Sequence, residues 1–206
     1  MIKALLFDFD GVVMDTESHY TQFWDKIGEE YLGEKNFCAQ IKGTTLVHIL
    51  STYYKPENWD EITARLDKFE ETMPYDFVAG LEDFIHKAKA QGLKTAIVTS
   101  STLKKMESVY AQRPEIHELF DKVFTSEDFS ASKPSPDCYR KAMAYFGIKP
   151  SEAVVFEDSI NGLISGRDSG AKLVGLATTN PSAVVAQYTN IVIPDFTAPL
   201  PFFPSL

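Results

Sequence analysis

The segment Ala4-Leu5-Leu6-Phe7-Asp8-Phe9-Asp10-Gly11 is an unbroken apolar run that stops at an acidic turn. Apolar residues in succession, without polar alternation, are buried on both faces, as in a strand of a parallel sheet covered by helices. The same shape recurs along the chain. Thr95-Ala96-Ile97-Val98 ends at Thr99-Ser100-Ser101, and Lys122-Val123-Phe124 ends at Thr125-Ser126-Glu127-Asp128. Ala153-Val154-Val155-Phe156 ends at Glu157-Asp158-Ser159, and Lys172-Leu173-Val174-Gly175-Leu176 ends at Ala177-Thr178-Thr179-Asn180. Amphipathic stretches lie between them, over 81–91, 102–112, 136–146 and 160–169, and Gly92, Gly147 and Gly170 close three of these. Helices stopped by glycine and followed by a strand predict an α/β fold with a doubly wound parallel sheet.

Residues 15–79 interrupt this alternation. They contain no convincing strand and read as helices over 20–31, 46–54 and 59–72, with Pro74 and Gly80 marking the return to the sheet. The expected organisation is a core of residues 1–14 and 80–206 with a helical domain inserted over 15–79. The end of the chain, 198–206, carries Pro199, Pro201 and Pro204 and so cannot be a helix interior; it is expected to be an extended packed tail or loose.

A chain of 206 residues with 44% hydrophobic and 24% charged residues has the length and composition to bury a full core, either as one large domain or as a domain with an insert. Its net charge of −9, from 20 Lys+Arg against 29 Asp+Glu, repels nucleic acid and anionic membranes. Cys38 and Cys138 lie far apart and belong to no metal-binding or disulfide pattern. The first apolar run is too short for a signal peptide, and no stretch is long enough to span a bilayer. A cytoplasmic monomer is therefore expected. The same negative charge would repel a small anionic substrate unless a cation sits in the site.

In open α/β sheets ligands bind outside the carboxyl ends of the strands. That rule gathers Asp8, Asp10, Thr99, Glu157 and Asp158, with Lys133 in the loop after the third strand. Each has a plainer reading when taken alone. Asp8 and Asp10 can form a turn before Gly11, Thr99 and Asp158-Ser159 can cap helices, and Lys133-Pro134 can be a loop. Their shared position at successive strand ends points to chemistry. Carboxylates crowded together raise one another's pKa, so a cation is expected among them. Mg²⁺ is the natural candidate, because it takes one or two carboxylates, water and a phosphate; Lys133 adds a further positive charge.

Asp8-Phe9-Asp10-Gly11-Val12-Val13-Met14-Asp15-Thr16-Glu17 resembles the first motif of the haloacid dehalogenase superfamily. Thr99 after Ile97-Val98 is similar to the second, Lys133-Pro134-Ser135-Pro136-Asp137 to the third, and Phe156-Glu157-Asp158-Ser159-Ile160-Asn161-Gly162 to the fourth. The resemblance spans essentially the whole chain and is nearest to the phosphatase and β-phosphoglucomutase branch. It implies a Rossmann-like core with a helical cap, and an enzyme acting on a small phosphorylated metabolite. It further implies Asp8 as nucleophile, Asp10 as acid and base, and Thr99 and Lys133 as holders of the phosphoryl oxygens. Mg²⁺ would be held by the Asp8 carboxylate, the Asp10 carbonyl and Asp158, with Glu157 behind them. Asp10 argues against a true dehalogenase, whose leaving halide needs no proton.

Two departures from the mutase pattern favour hydrolysis. Lys42-Gly43-Thr44-Thr45 is followed by Leu46 where β-phosphoglucomutases carry an Arg, and Thr102-Leu103 stands where they have Lys-Asn. Lys104 or Lys105 could compensate, so a mutase stays open, as does a non-catalytic phosphometabolite-binding protein. Glu17, His19, Lys42, Gly43, Ser100 and Ser101 are candidate substrate contacts. His19 has surface or core-edge packing as its plainer reading. Trp24, Tyr53, Tyr54 and Trp59 read as helix-packing aromatics.

Overall fold

The computed structural model describes residues 1–200; the end of the tail anticipated over 198–206 falls outside the described residues. The chain runs β1 (Ala4–Phe7), α1 (Glu17–Leu32), α2 (Cys38–Ile41), α3 (Leu46–Tyr53), α4 (Trp59–Thr72), α5 (Leu81–Ala90) and β2 (Lys94–Val98). It continues with α6 (Leu103–Gln112), α7 (Ile116–Leu119), β3 (Lys122–Phe124), α8 (Asp137–Tyr145) and β4 (Ala153–Glu157). It closes with α9 (Ile160–Ser169), β5 (Lys172–Leu176), α10 (Ser182–Val185) and β6 (Val192–Ile193).

The strands form one parallel sheet in the order β3-β2-β1-β4-β5-β6. The chain winds outward from β1 through β2 to β3, then returns beside β1 as β4 and winds the other way. The switch point, where connecting loops diverge and leave a crevice, therefore lies between β1 and β4. Both faces are covered. Leu5, Phe7, Val154 and Phe156 point into one apolar layer, and Ala4, Leu6, Val98 and Val155 into the other. Phe7 stacks on Phe156 with centroids 4.6 Å apart, and Phe84 and Phe196 close around the pair.

The helical insert comprises α1 to α4. Its entry and exit run side by side: Asp15 N donates to Asp76 O at 2.8 Å, and Val78 N to Val13 O at 3.1 Å. Gly11, at φ +76, makes the turn that allows this. A Cβ there would run into the Asp158 carboxylate as well as strain the backbone.

The strands anticipated from apolar runs are all present. β6, a two-residue edge strand, and the four-residue helices α2, α7 and α10 were not anticipated, because elements so short carry no periodicity to read. The tail's near end packs, with Leu200 buried against the main core. Among the described residues no helix is long and apolar enough to cross a membrane.

Candidate active site

Phe7 pairs with Phe156, so Asp8 and Glu157 emerge side by side at the carboxyl edge of the sheet. Lys133 reaches between them from the loop before α8. Its ammonium donates to Asp8 Oδ1 at 2.7 Å, Glu157 Oε1 at 2.6 Å and Val98 O at 3.2 Å. The Tyr139 hydroxyl also donates to Glu157 Oε1, at 2.6 Å. All four side chains are buried. Glu157 lies directly over the first turn of α9, where a Cβ at Gly162 would overlap its carboxylate.

Burial pushes the Asp8 carboxyl up to about 7; the charge of Glu157 adds to this, and Lys133 opposes it. For Lys133 burial acts downward, but the Asp8 and Glu157 charges outweigh it and hold the ammonium above its ordinary range. Burial, then Glu17, Asp8 and Glu157, push Asp158 well above the usual carboxylate range.

Asp158 carries the clearest mark of a cation-binding position. Its Oδ2 accepts from the Thr179 hydroxyl, while the fully buried Oδ1 has no hydrogen-bond partner among the described residues. A buried polar atom left unpaired costs about 1–3 kcal/mol, and more when charged. Asp8, Glu157 and Asp158 offer carboxylate oxygens within 4.8 Å of one another, a set that can hold a metal ion. An all-oxygen, acidic donor set with one orphaned oxygen fits a hard divalent cation.

The Asp10 carboxylate is engaged elsewhere. Lys105 Nζ donates to its Oδ1 at 2.7 Å and its Oδ2 at 2.6 Å, and Thr16 Oγ1 donates to Oδ1 at 2.6 Å. Asp10 is thus outside the carboxylate cluster by its side chain, and only its backbone carbonyl remains for the metal role expected of it.

A cavity of about 120 Å³ opens above these groups between core and insert. Asp8, Asp10, Thr99, Ser100, Ser101 and Asp158 line it from the core, and Glu17, Tyr20, Trp24, Lys42, Gly43 and Glu70 from the insert. Glu17 and Lys42 are ion-paired across it. The loop 42–45 is fastened to three core segments: Asn161 Nδ2 donates to Lys42 O at 2.9 Å, Ser100 Oγ to Gly43 O at 3.0 Å, and Thr45 N to Ser132 Oγ at 3.0 Å. Gly43 is at φ +77 with no room for a Cβ beside Ser159.

The expected site residues therefore converge, with one exception. His19 is half-buried and does not line the cavity. On α1 the cavity face is set by Glu17, Tyr20 and Trp24, at helical spacing, and His19 lies off that stripe. Trp24 packs against Phe23 and Phe37 as anticipated, but its face also forms cavity wall. Glu70, which the sequence reading did not single out, is buried, accepts from the Tyr20 hydroxyl at 2.7 Å, and is pushed up to about 7 by its burial. Its signal was present: Ile62, Leu66 and Glu70 form one buried stripe of α4, and an acid on an apolar stripe needs a reason.

Residues 5–176 match the family described as haloacid dehalogenase-like hydrolase. The chain belongs to this family. Within it the chain falls in the phosphatase and β-phosphoglucomutase branch. It is 32% identical over 183 residues, 84% of this chain and 83% of the relative, to YhcW of Bacillus subtilis (strain 168), which bears a phosphatase name. It is 27% identical, over a gapped alignment of 207 positions that covers 96% of this chain and 95% of the relative, to validoxylamine A 7'-phosphate phosphatase of Streptomyces hygroscopicus subsp. limoneus. Its fold is shared with a haloacid dehalogenase hydrolase, family IA, variant 3, from Entamoeba histolytica HM-1:IMSS, at a TM-score of 0.80 and 24% identity over 95% of this chain and 94% of that one.

Proposed function

We propose that this hydrolase is a Mg²⁺-dependent phosphatase that cleaves a small phosphate monoester, a sugar phosphate or related metabolite, through an aspartyl-phosphate on Asp8. The observation that carries the reading is the carboxylate cluster at the switch point, with Lys133 bound to Asp8 and an orphaned oxygen on Asp158.

Lys133 holds Asp8 Oδ1, so Oδ2 attacks phosphorus. The Oδ2–P bond forms as the bond from phosphorus to the leaving oxygen breaks, and Asp10, which enters this step protonated, gives that oxygen its proton and is left as a carboxylate. The Asp10 carboxylate then takes a proton from water as the water attacks the same phosphorus, releasing inorganic phosphate and restoring Asp8. Thr99, whose Oγ1 accepts from Ser101 N at 3.0 Å, is aligned to donate its own proton to a phosphoryl oxygen. The Asp8 and Asp158 carboxylates and the Asp10 carbonyl would hold Mg²⁺, with Glu157 acting from behind through Lys133. When bound, the ion supplies positive charge that offsets the phosphoryl oxygens. Residues 15–79 serve as a cap whose 42–45 loop shuts the cavity and excludes bulk water during transfer.

Hydrolysis is favoured over mutase chemistry by how the nearby lysines are engaged. Lys105 pairs with Asp10, Lys104 with Asp67 and Lys42 with Glu17, so each cation that could grip a second phosphate already faces a carboxylate. The test is phosphate release with and without Mg²⁺ from a panel of sugar, nucleotide and aryl phosphates. Asp8→Asn is expected to abolish release while leaving the fold intact. An Asp8→Asn variant with near-wild-type, Mg²⁺-dependent turnover refutes the nucleophile. Isomerisation of β-glucose 1-phosphate without phosphate release identifies a mutase, and Mg²⁺ binding with no turnover identifies a binding protein.

A further inference from the structure

Lys105 is out of place by the rules of local structure. It is the third residue of α6, where Thr102 caps the helix by accepting from Lys105 N at 3.3 Å. A cation in a first turn faces the positive end of the helix dipole, and burying an ammonium removes its hydration. Yet Lys105 is only 3% exposed. Its neighbour Lys104 stays largely exposed and reaches Asp67 on α4.

What compensates Lys105 is Asp10. The ammonium donates to both carboxylate oxygens, at 2.7 and 2.6 Å, and to Ser101 Oγ at 3.0 Å. It lies 4.5 Å from the ring centroid of Tyr20 and 5.1 Å from that of Phe9. Ser101 Oγ in turn donates to Asp10 Oδ2 at 3.2 Å, and Thr16 Oγ1 to Oδ1 at 2.6 Å. A carboxylate gripped on both oxygens from three directions keeps one rotamer. An ammonium so fully engaged is unsuited to bind a substrate anion.

We infer that Lys105 is a positioning residue: it fixes the Asp10 side chain in the orientation from which its proton passes to the leaving oxygen, and its charge stabilises the carboxylate that remains after the transfer. This rests on the reading of Asp10 as the acid. Proton transfer needs heavy atoms within about 2.6–3.2 Å, and a misplacement of about 1 Å costs on the order of 10²-fold in rate.

The test compares leaving groups of similar shape and different basicity in the full-length, Mg²⁺-loaded enzyme: 4-nitrophenyl phosphate, phenyl phosphate and benzyl phosphate. The quantity read is kcat/KM, which reports phosphoryl transfer to Asp8 and is blind to the later hydrolysis. Lys105→Met is expected to lower kcat/KM for benzyl phosphate by about 10²-fold and for 4-nitrophenyl phosphate only several-fold, because nitrophenolate departs without a proton. Lys105→Arg, which keeps a charged donor, should recover part of the loss on benzyl phosphate, and it serves in place of Lys105→Met should that variant not fold. A merely structural lysine predicts equal losses on all three substrates; that result, or no loss, overturns the inference. Asp10→Asn measured alongside separates the two readings. If Asp10→Asn is not selective for the basic leaving groups, the acid assignment falls. If it is selective and the Lys105 variants are not, only the role given to Lys105 falls.

Discussion

If the carboxylate cluster holds Mg²⁺ as proposed, replacing Asp158 by Asn should erase the stabilisation expected from the ion without weakening the metal-free fold. Asp158 is fully buried with one oxygen unpaired, and its carboxylate lies within 4.8 Å of those of Asp8 and Glu157. At that spacing two ionised carboxylates repel by about 3.5 kcal/mol at an effective dielectric constant of 20, and the single charge of Lys133 answers only part of it. Asn removes the group that would have to ionise to hold the metal and keeps an oxygen for the Thr179 hydroxyl. For the wild type, Mg²⁺ at a hundred times its Kd adds about 2.7 kcal/mol, which in a chain of this size is a rise in Tm of about 5–11 °C. The pH dependence has a definite sign. Asp8 titrates near 7 in the folded protein against 3.8 for the ordinary group. Between these values the folded state binds the extra proton, so stability present below pH 3.8 is lost as pH rises through 7. The Asp8 share of this loss amounts to about 4 kcal/mol in the metal-free protein, and Mg²⁺ should flatten it. Calorimetric melts of both proteins at pH 4 and 9, with and without Mg²⁺, span the titration and read all of this. An Asp158→Asn protein that melts well below metal-free wild type yet keeps the full Mg²⁺ shift would refute the argument, since Asp158 would then support structure and the ion would bind elsewhere.

Glu70, pushed up from 4.5 to about 7 by burial, gives a second pH signature. The stability of wild type relative to Glu70→Gln should fall by about 3 kcal/mol as pH rises from 4.5 through 7, measured by urea unfolding; parallel curves would show that Glu70 titrates normally. Gly162→Ala should cost about 1–3 kcal/mol from overpacking and cut turnover as well, because the new methyl displaces the Glu157 carboxylate that anchors Lys133. Full activity in that variant would mean that Glu157 does not depend on this contact.

The strands and the acidic turns that end them were legible because their causes are local. A run such as Ala4–Phe7 is apolar because both faces of it are covered, and the stop at Asp8 marks where cover ends. A parallel doubly wound sheet brings such stops to one edge whatever the helices do, so Asp8, Thr99, Glu157 and Asp158 could be gathered before any contact was known. The glycine ends of helices and the extent of α4 and α9 follow in the same way from capping and periodicity. Short elements such as β6 and α10 lack that periodicity and become visible only through their pairing and packing.

Which cation meets which carboxylate was not decided locally. The sequence reading left Lys104 and Lys105 as candidate grips for a second phosphate. The folded chain instead turns Lys105 inward to Asp10, 95 positions away in sequence, and Lys104 outward to Asp67. His19 stood beside the first motif in sequence, but the rotation of α1 put Tyr20 and Trp24 on the cavity face in its place. The amino-acid sequence by itself determined the sheet, its acidic edge and the need for positive charge there. Only the tertiary structure decided how that charge is distributed, because ion pairing falls off over a few ångströms and such distances are set by strand order and helix rotation.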